Sequence, residues 1–146
     1  MNANEKDTTN FENVRIGAKL KLSALWASVM FCYIYGDYFS LFVPGRIDSL
    51  MNGNSGIGIT TPLTLLMFAL LMTLPSVMVF LSLLLNPKIN RCANISMGIF
   101  FTAIMVLVVA TSIDKWMIFY IFLGVIEIVI TLLIVWHAWS WPKQKE

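Results

Sequence analysis

The sequence predicts an all-α, polytopic membrane protein built as an antiparallel bundle of four transmembrane helices. The first observation is composition, since 58% of the 146 residues are hydrophobic and only 12% are charged, which exceeds the apolar content of an average soluble domain. The second is that the apolar residues form four long stretches, at residues 22–43, 63–85, 95–113 and 116–139. The third is that these stretches lack the alternating polarity typical of transmembrane barrel strands.

Each stretch is long enough to cross a bilayer as a helix. The four contain 22, 23, 19 and 24 residues, and at about 1.5 Å of rise per residue such helices span a hydrocarbon core of roughly 30 Å. Backbone groups cannot stay unpaired in lipid, which favours helices for segments of this kind. We therefore expect a transmembrane domain over residues 22–142, with a polar N-terminal arm at residues 1–21 and a short tail at residues 143–146.

The distribution of lysine and arginine predicts the orientation of the spans. Eight of the ten basic residues lie in the arm, the second connection and the tail, whereas the first connection has only Arg46 and the third only Lys115. Loops rich in lysine and arginine stay on the cytoplasmic side of a membrane. Both termini and the second connection should therefore be cytoplasmic, which agrees with an even number of spans.

The connections predict how the helices are joined. Only two residues separate the third and fourth spans, so these spans should form a tight antiparallel hairpin in which Asp114 caps the new helix. The second connection, residues 86–94, is also short. The longest loop, residues 44–62, is rich in glycine, and its apolar residues predict a brief amphipathic turn made by Ile47, Leu50 and Met51.

Each span also carries one stripe of small or polar residues at helical spacing. Such stripes let membrane helices approach closely and hydrogen-bond to one another, so we expect all four to face the interior of the bundle. The stripes consist of Trp26, Met30, Tyr33, Asp37 and Ser40 in the first span, Ala69, Thr73 and Ser76 in the second, Gly98, Thr102, Met105, Val109 and Ser112 in the third, and Tyr120, Gly124, Glu127 and Thr131 in the fourth.

Two acidic residues within these stripes define the candidate site. Glu127 lies near the middle of the fourth span, where a charge costs at least roughly 2.5 to 3.5 kcal/mol, and no lysine or arginine lies at its depth. We therefore expect the neutral, protonated acid at neutral pH. Asp37 is closer to the end of its span, and Tyr33 could bridge the two acids.

Two interpretations of Glu127 remain open. In the functional one it carries a proton or coordinates a ligand, within a site formed by Glu127, Asp37, Tyr33, Thr102 and Thr131. In the structural one it donates a hydrogen bond to Thr102, Tyr33 or a backbone carbonyl and thereby holds the helices in register. For Asp37 we favour a structural role, because water or Arg46 near the membrane surface could satisfy it.

Other chemistry has little support in the sequence. A single histidine cannot supply paired haem ligation, and no cluster has zinc or di-iron spacing. Motifs for a serine hydrolase, a zinc protease or a phosphate-binding loop are also missing. We therefore predict that the protein is not an enzyme and that it has no catalytic residues, no metal and no cofactor. The net charge of +2 is too small to indicate nucleic acid, so the expected partners are membrane lipids and further copies of the chain.

Five segments carry a resemblance to known proteins: YGDYFSLFVPG at 35–45, LPSVMVFLS at 74–82, NRCANI at 90–95, IEI at 126–128 and WHAWSWP at 136–142. They resemble a family of small bacterial four-span membrane proteins that is classed only as a domain of unknown function. The resemblance covers roughly residues 20 to 142 and departs from the family at Cys92, where members tend to have tryptophan. It implies a location in the bacterial inner membrane and a four-span topology, but no activity.

The function classes that remain are therefore broad. A structural or accessory membrane component, which could be oligomeric, is the interpretation we favour from the sequence, because the chain is short and has no catalytic cluster. A small proton-coupled carrier or channel subunit that uses Glu127 and Asp37 is the alternative. An enzyme acting on a lipid or a quinone is the weakest of the three, since no nucleophile or electron carrier is evident.

Overall fold

A computed structural model describes residues 16–56 and 58–141, and it confirms the all-α fold class for this part of the chain. Most of the predicted N-terminal arm and all of the predicted tail lie outside the described residues. The helices in chain order are α1 (Ala18–Ser40), α2 (Arg46–Met51), α3 (Pro62–Leu84), α4 (Pro87–Thr111), a 3₁₀ turn at Lys115–Met117 and α5 (Ile118–Trp139).

Three helical stretches in the described residues are long and apolar enough to cross a membrane: Pro62–Leu84, Pro87–Thr111 and Lys115–Trp139. They coincide with the second, third and fourth predicted spans. Helix α1 has the same length as α3, 23 residues, but it is less apolar because it contains two lysines near its start and Asp37 near its end.

Side-chain capping marks the start of α3 and of the 3₁₀ turn. Thr61 and Thr64 form a reciprocal capping box at the start of α3, which is a common way to satisfy free amide groups. The Oδ1 atom of Asp114 accepts a hydrogen bond from the amide of Trp116 at 2.8 Å, as predicted. Helix α2 forms where the sequence predicts an amphipathic turn.

Helix α4 begins eight residues before the apolar stretch that predicted it. It starts at Pro87, a residue type that suits the first helical turn because its missing amide has no partner there in any case. Residues 86–94, predicted as a connection, are therefore almost entirely helical. The polar residues in this first part of α4 are tolerated because Asn90 and Asn94 are fully buried and hydrogen-bonded to other helices.

The long helices pack unequally. Helices α4 and α5 form the closest pair, α1 packs against both α5 and α3, and α3 has few contacts with α4. Early residues of α1 meet late residues of its partners, as in the hydrogen bond from Lys19 Nζ to the carbonyl of Leu83. The core is centred on the half of the molecule that contains the first part of α1 and the last part of α5. It consists of Leu22, Trp26, Val29, Met78, Phe101, Ile134 and Ala138.

The structure confirms the predicted inward stripe of α5 and contradicts that of α3. Gly124, Glu127 and Thr131 are all buried. In α3, by contrast, Ala69, Thr73 and Ser76 are exposed, and the buried residues are Pro75, Met78 and Ser82. The hydroxyl groups of Thr73 and Ser76 bond to carbonyls one turn back in their own helix, and only that of Ser76 also reaches a neighbouring helix, at Met30 Sδ of α1.

Candidate functional site

Glu127 lies in the interior of the molecule, where sequence analysis predicted it. Its side chain is 3% exposed, on the buried face of α5 between Gly124 and Thr131. Its Oε2 atom is buried and has no hydrogen-bond partner among the described residues. A buried polar atom of this kind is uncommon in native proteins, and it calls for an explanation such as a strained, proton-binding or ligand-binding site.

Thr102 and Thr131 lie together beside Glu127 but do not bind its carboxyl group. Their hydroxyl oxygens are 2.8 Å apart, in a hydrogen bond that joins α4 to α5. Thr102 donates this hydrogen bond, and its oxygen also lies 2.7 Å from the carbonyl oxygen of Gly98. Thr131 accepts it and donates its own hydrogen to the carbonyl of Glu127 at 2.9 Å. The predicted hydrogen bond from the carboxyl group of Glu127 to Thr102 is absent among the described residues, and the hydrogens of both hydroxyls are used within the pair and on a helix carbonyl.

Tyr33 is the second member of the site with an unsatisfied group. Its hydroxyl is buried and has no hydrogen-bond partner in the described part of the chain, while its ring packs against Phe101 with centroids 6.3 Å apart. Tyr33 and Glu127 are within electrostatic range of each other. Two buried polar groups, one from α1 and one from α5, thus have no hydrogen-bond partner among the described residues.

Asp37 belongs to a cavity at one end of the molecule rather than to the interior beside Glu127. This end, which we call the α2 end, contains α2, the loop that follows it and the turn between α4 and α5. The cavity has a volume of about 590 Å³. The charged and hydroxyl-bearing residues that line it are Asp37, Ser40, Arg46, Ser55, Thr111, Ser112, Asp114 and Tyr120.

The cavity and Glu127 lie along the same side of α5. Tyr120 lines the cavity, and Glu127 follows seven residues later, about 10 Å further along the helix. On the other side of Glu127 the interior is closed by Trp26, Phe101 and Ile134, each with 0% exposure. The α2 end is therefore the side of Glu127 on which a polar cavity lies.

A polar cluster that the sequence analysis missed joins three helices on the closed side. Trp26 Nε1 donates to Asn94 Oδ1 at 2.7 Å, and Ser82 Oγ donates to the same oxygen at 3.2 Å. Asn94 Nδ2 donates to Asn90 Oδ1 at 2.6 Å, and Asn90 Nδ2 donates to the carbonyl of Ser82 at 2.6 Å. The only sequence signal for this cluster is two asparagines four residues apart, which share a helix face.

Comparisons with known proteins give a family without an assigned activity. No curated protein and no solved structure matches the chain. A family model described as a family of unknown function, DUF6326, matches residues 11–146, which is nearly the whole chain. As the resemblance to a domain of unknown function predicted, the chain belongs to the DUF6326 family.

Proposed function

We propose that the chain is a four-span protein of the bacterial inner membrane, an antiparallel four-helix bundle with both termini in the cytoplasm. Three apolar helices support membrane insertion, and α1 would be the fourth crossing, since its length equals that of α3 and it packs against two of the apolar helices. Its exposed surface is rich in aromatic and aliphatic side chains, such as Phe31, Ile34 and Tyr38. The α2 end would then face outward.

We further propose that the protein is a small proton-coupled carrier or channel subunit in which Glu127 binds the proton. The observation that carries this proposal is the buried Oε2 atom of Glu127, which has no hydrogen-bond partner among the described residues; the buried hydroxyl of Tyr33 also has none. Leaving a buried polar group unsatisfied costs about 1–3 kcal/mol, and ionisable groups inside membrane domains commonly mark ion and proton pathways. A role in stability alone would not explain why a buried group that destabilises the fold is present.

The main rival is the structural or accessory role, in which Glu127 holds the helices together. Other residues already serve that purpose: the Thr102–Thr131 hydrogen bond joins α4 to α5, and the cluster around Asn94 joins α1, α3 and α4. The contact that a structural role for Glu127 needs is missing. The observations therefore favour the carrier or channel hypothesis, which was the second choice from sequence alone.

Asp37 would act at the mouth of the pathway. It lines the cavity at the α2 end together with Tyr120, and the Asp37 carboxyl group is within electrostatic range of the Tyr120 hydroxyl. In this scheme a proton reaches Glu127 from the cavity through the region of Tyr33 and Tyr120. Four helices seldom enclose a complete pathway, so release on the closed side would require a conformational change or the assembly of several copies.

The experiment that tests this function is proton flux in proteoliposomes that contain the purified protein and an internal pH-sensitive dye. We expect an imposed membrane potential to drive a flux that Glu127→Gln abolishes, because the amide keeps the shape of the side chain but cannot exchange a proton. Asp48→Asn is the matched control, since Asp48 is exposed on α2 and does not line the cavity.

The result also decides between the two function classes. Flux in wild type and in Asp48→Asn, with none in a folded Glu127→Gln protein, supports the carrier or channel. Wild-type protein without flux, across reconstitutions of defined oligomeric state, together with loss of thermal stability in Glu127→Gln, would instead assign the protein to the structural or accessory class.

A further inference from the structure

We propose that the cavity at the α2 end, with an aromatic groove beside it, binds a phospholipid whose headgroup carries both a phosphate and an ammonium group. The proposal rests on the membrane location proposed above. It does not depend on proton binding by Glu127, because Glu127 does not line the cavity.

Arg46 provides the site for the phosphate. Its Nε atom is buried and has no hydrogen-bond partner among the described residues, although its guanidinium group lines the cavity. The glycine-rich loop closes over this group at Gly56, where even a methyl side chain would collide with the guanidinium nitrogen. Arginine presents a planar set of donors that matches the oxygens of a phosphate, so the terminal nitrogens of Arg46 would bind the phosphate.

The carboxylates of the cavity select against a simple anion. Asp37 and Asp114 both line it; Asp114 Oδ1 accepts the amide hydrogen of Trp116, and Asp37 is within electrostatic range of Arg46. No ion pair joins Asp37 to Arg46 in the described residues, so both charges remain available to a ligand. A phosphate alone would face two carboxylates, and an ammonium alone would face Arg46, whereas a zwitterionic headgroup complements both signs of charge.

An apolar groove continues from the cavity and provides the site for an acyl chain. It has a volume of about 410 Å³ and shares two of its lining residues, Val43 and Trp116, with the cavity. The rest of its lining is aromatic, from Phe39, Phe42 and Phe119. A polar cavity that opens directly onto an apolar groove fits a molecule with a charged head and a hydrocarbon chain better than it fits a soluble ion.

The test is native mass spectrometry of the full-length protein in detergent with three added ligands: phosphatidylethanolamine, phosphatidylglycerol and inorganic phosphate. Phosphatidylglycerol has the phosphate without the ammonium group, and inorganic phosphate lacks both the ammonium group and the acyl chains. We expect wild type to retain phosphatidylethanolamine in preference to the other two. Arg46→Gln should weaken its binding about tenfold, the effect of losing one hydrogen bond to a charged group, and Asp37→Asn should remove the preference over phosphatidylglycerol.

Matched controls separate this site from general charge effects and from the proposed function. Lys115→Gln and Asp48→Asn change exposed charges at the same end of the molecule that do not line the cavity, and they should bind like wild type. Glu127→Gln should also bind like wild type, whatever its effect on proton flux. Retention of each variant in membranes after an alkaline wash verifies insertion separately from lipid binding.

Two outcomes would overturn the proposal, and the first needs no variant. Equal retention of phosphatidylethanolamine and phosphatidylglycerol by wild type would mean that Asp37 and Arg46 do not recognise the headgroup. Displacement of the lipid by inorganic phosphate at the same concentration would show that a free anion is the ligand. Preferential retention that is lost in Arg46→Gln and kept in Lys115→Gln would support the lipid site.

Discussion

Trp26 is the residue through which α1 is joined to α4. Its ring is fully buried, packs edge-on against Phe101 with centroids 6.0 Å apart and donates from Nε1 to Asn94 Oδ1. Buried polar groups in a low-dielectric interior are stabilising only when each has a partner. The indole N–H and the amide oxygen of Asn94 meet this condition, since the oxygen accepts from both Trp26 and Ser82.

We predict that Trp26→Phe destabilises the protein by about 1–3 kcal/mol, since it removes one buried hydrogen bond and some packing volume. Unfolding of the purified protein by increasing fractions of sodium dodecyl sulfate in mixed micelles would measure the change. Trp139→Phe is the control, because Trp139 is 65% exposed. Equal stability of the two variants would mean that the cluster around Asn94 contributes little to the fold.

A second prediction at this scale concerns the protonation of Glu127. The carboxyl group is buried and has no lysine or arginine at its depth, which favours the neutral acid. Infrared spectra of the reconstituted protein at neutral pH should therefore contain a carboxylic-acid C=O band that Glu127→Gln removes and Asp48→Asn preserves. A wild-type spectrum without that band would show that Glu127 is ionised.

At the scale of helices, the packing of α4 against α5 depends on two glycines. A methyl group added at Gly98 would lie 2.7 Å from Val135 Cγ2 and 3.3 Å from the carbonyl oxygen of Thr131, and one at Gly124 would lie 2.5 Å from Val109 Cγ2. Small residues allow membrane helices to approach closely. The close approach of α4 and α5 also brings Thr102 within hydrogen-bond distance of Thr131.

We therefore predict that Gly98→Ala separates α4 from α5 and destabilises the protein by about 1–3 kcal/mol, the usual range for overpacking. The Thr131 carbonyl belongs to the backbone and cannot move aside as a side chain could. Gly17→Ala is the control, since nothing lies within 4 Å of its added methyl group. The same micelle unfolding assay would measure both, and a Gly98→Ala protein as stable as wild type would contradict the close packing described.

The helices also indicate how far the sequence could predict this fold. Three spans, the capping role of Asp114 and the buried stripe of α5 follow from local composition and spacing, which the sequence contains directly. The exposed stripe of α3 does not, because hydroxyls such as that of Thr73 can bond within their own helix, so spacing alone does not tell an inward face from an outward one. The early start of α4 likewise depends on partners such as Trp26, which is 68 residues from Asn94.

At the scale of the whole molecule, the residues that sequence analysis predicted as one site lie in two separate parts of the structure. Glu127 and Tyr33 belong to the closed interior, while Asp37 lines the cavity at the α2 end. Sequence analysis named these residues from their helix faces and paired Arg46 with Asp37, but it did not predict the cavity that these two line, since that requires the fold of the glycine-rich loop. The molecule is consequently polar and open at one end and tightly packed at the other.

Because of this asymmetry, the proposed access to Glu127 depends on how the protein is oriented in the membrane. Cys92 lies on α4 at the closed end and is exposed, and the distribution of lysine and arginine predicts that this end is cytoplasmic. In a protein with Cys32→Ser, which leaves one thiol, a membrane-impermeant maleimide should therefore label Cys92 only after the cells are opened. Asn52→Cys with both native cysteines replaced is the control, because Asn52 is exposed at the α2 end and should be labelled in intact cells. The reverse pattern would place the cavity and its charged residues on the cytoplasmic side, and protons would then reach Glu127 from the cell interior.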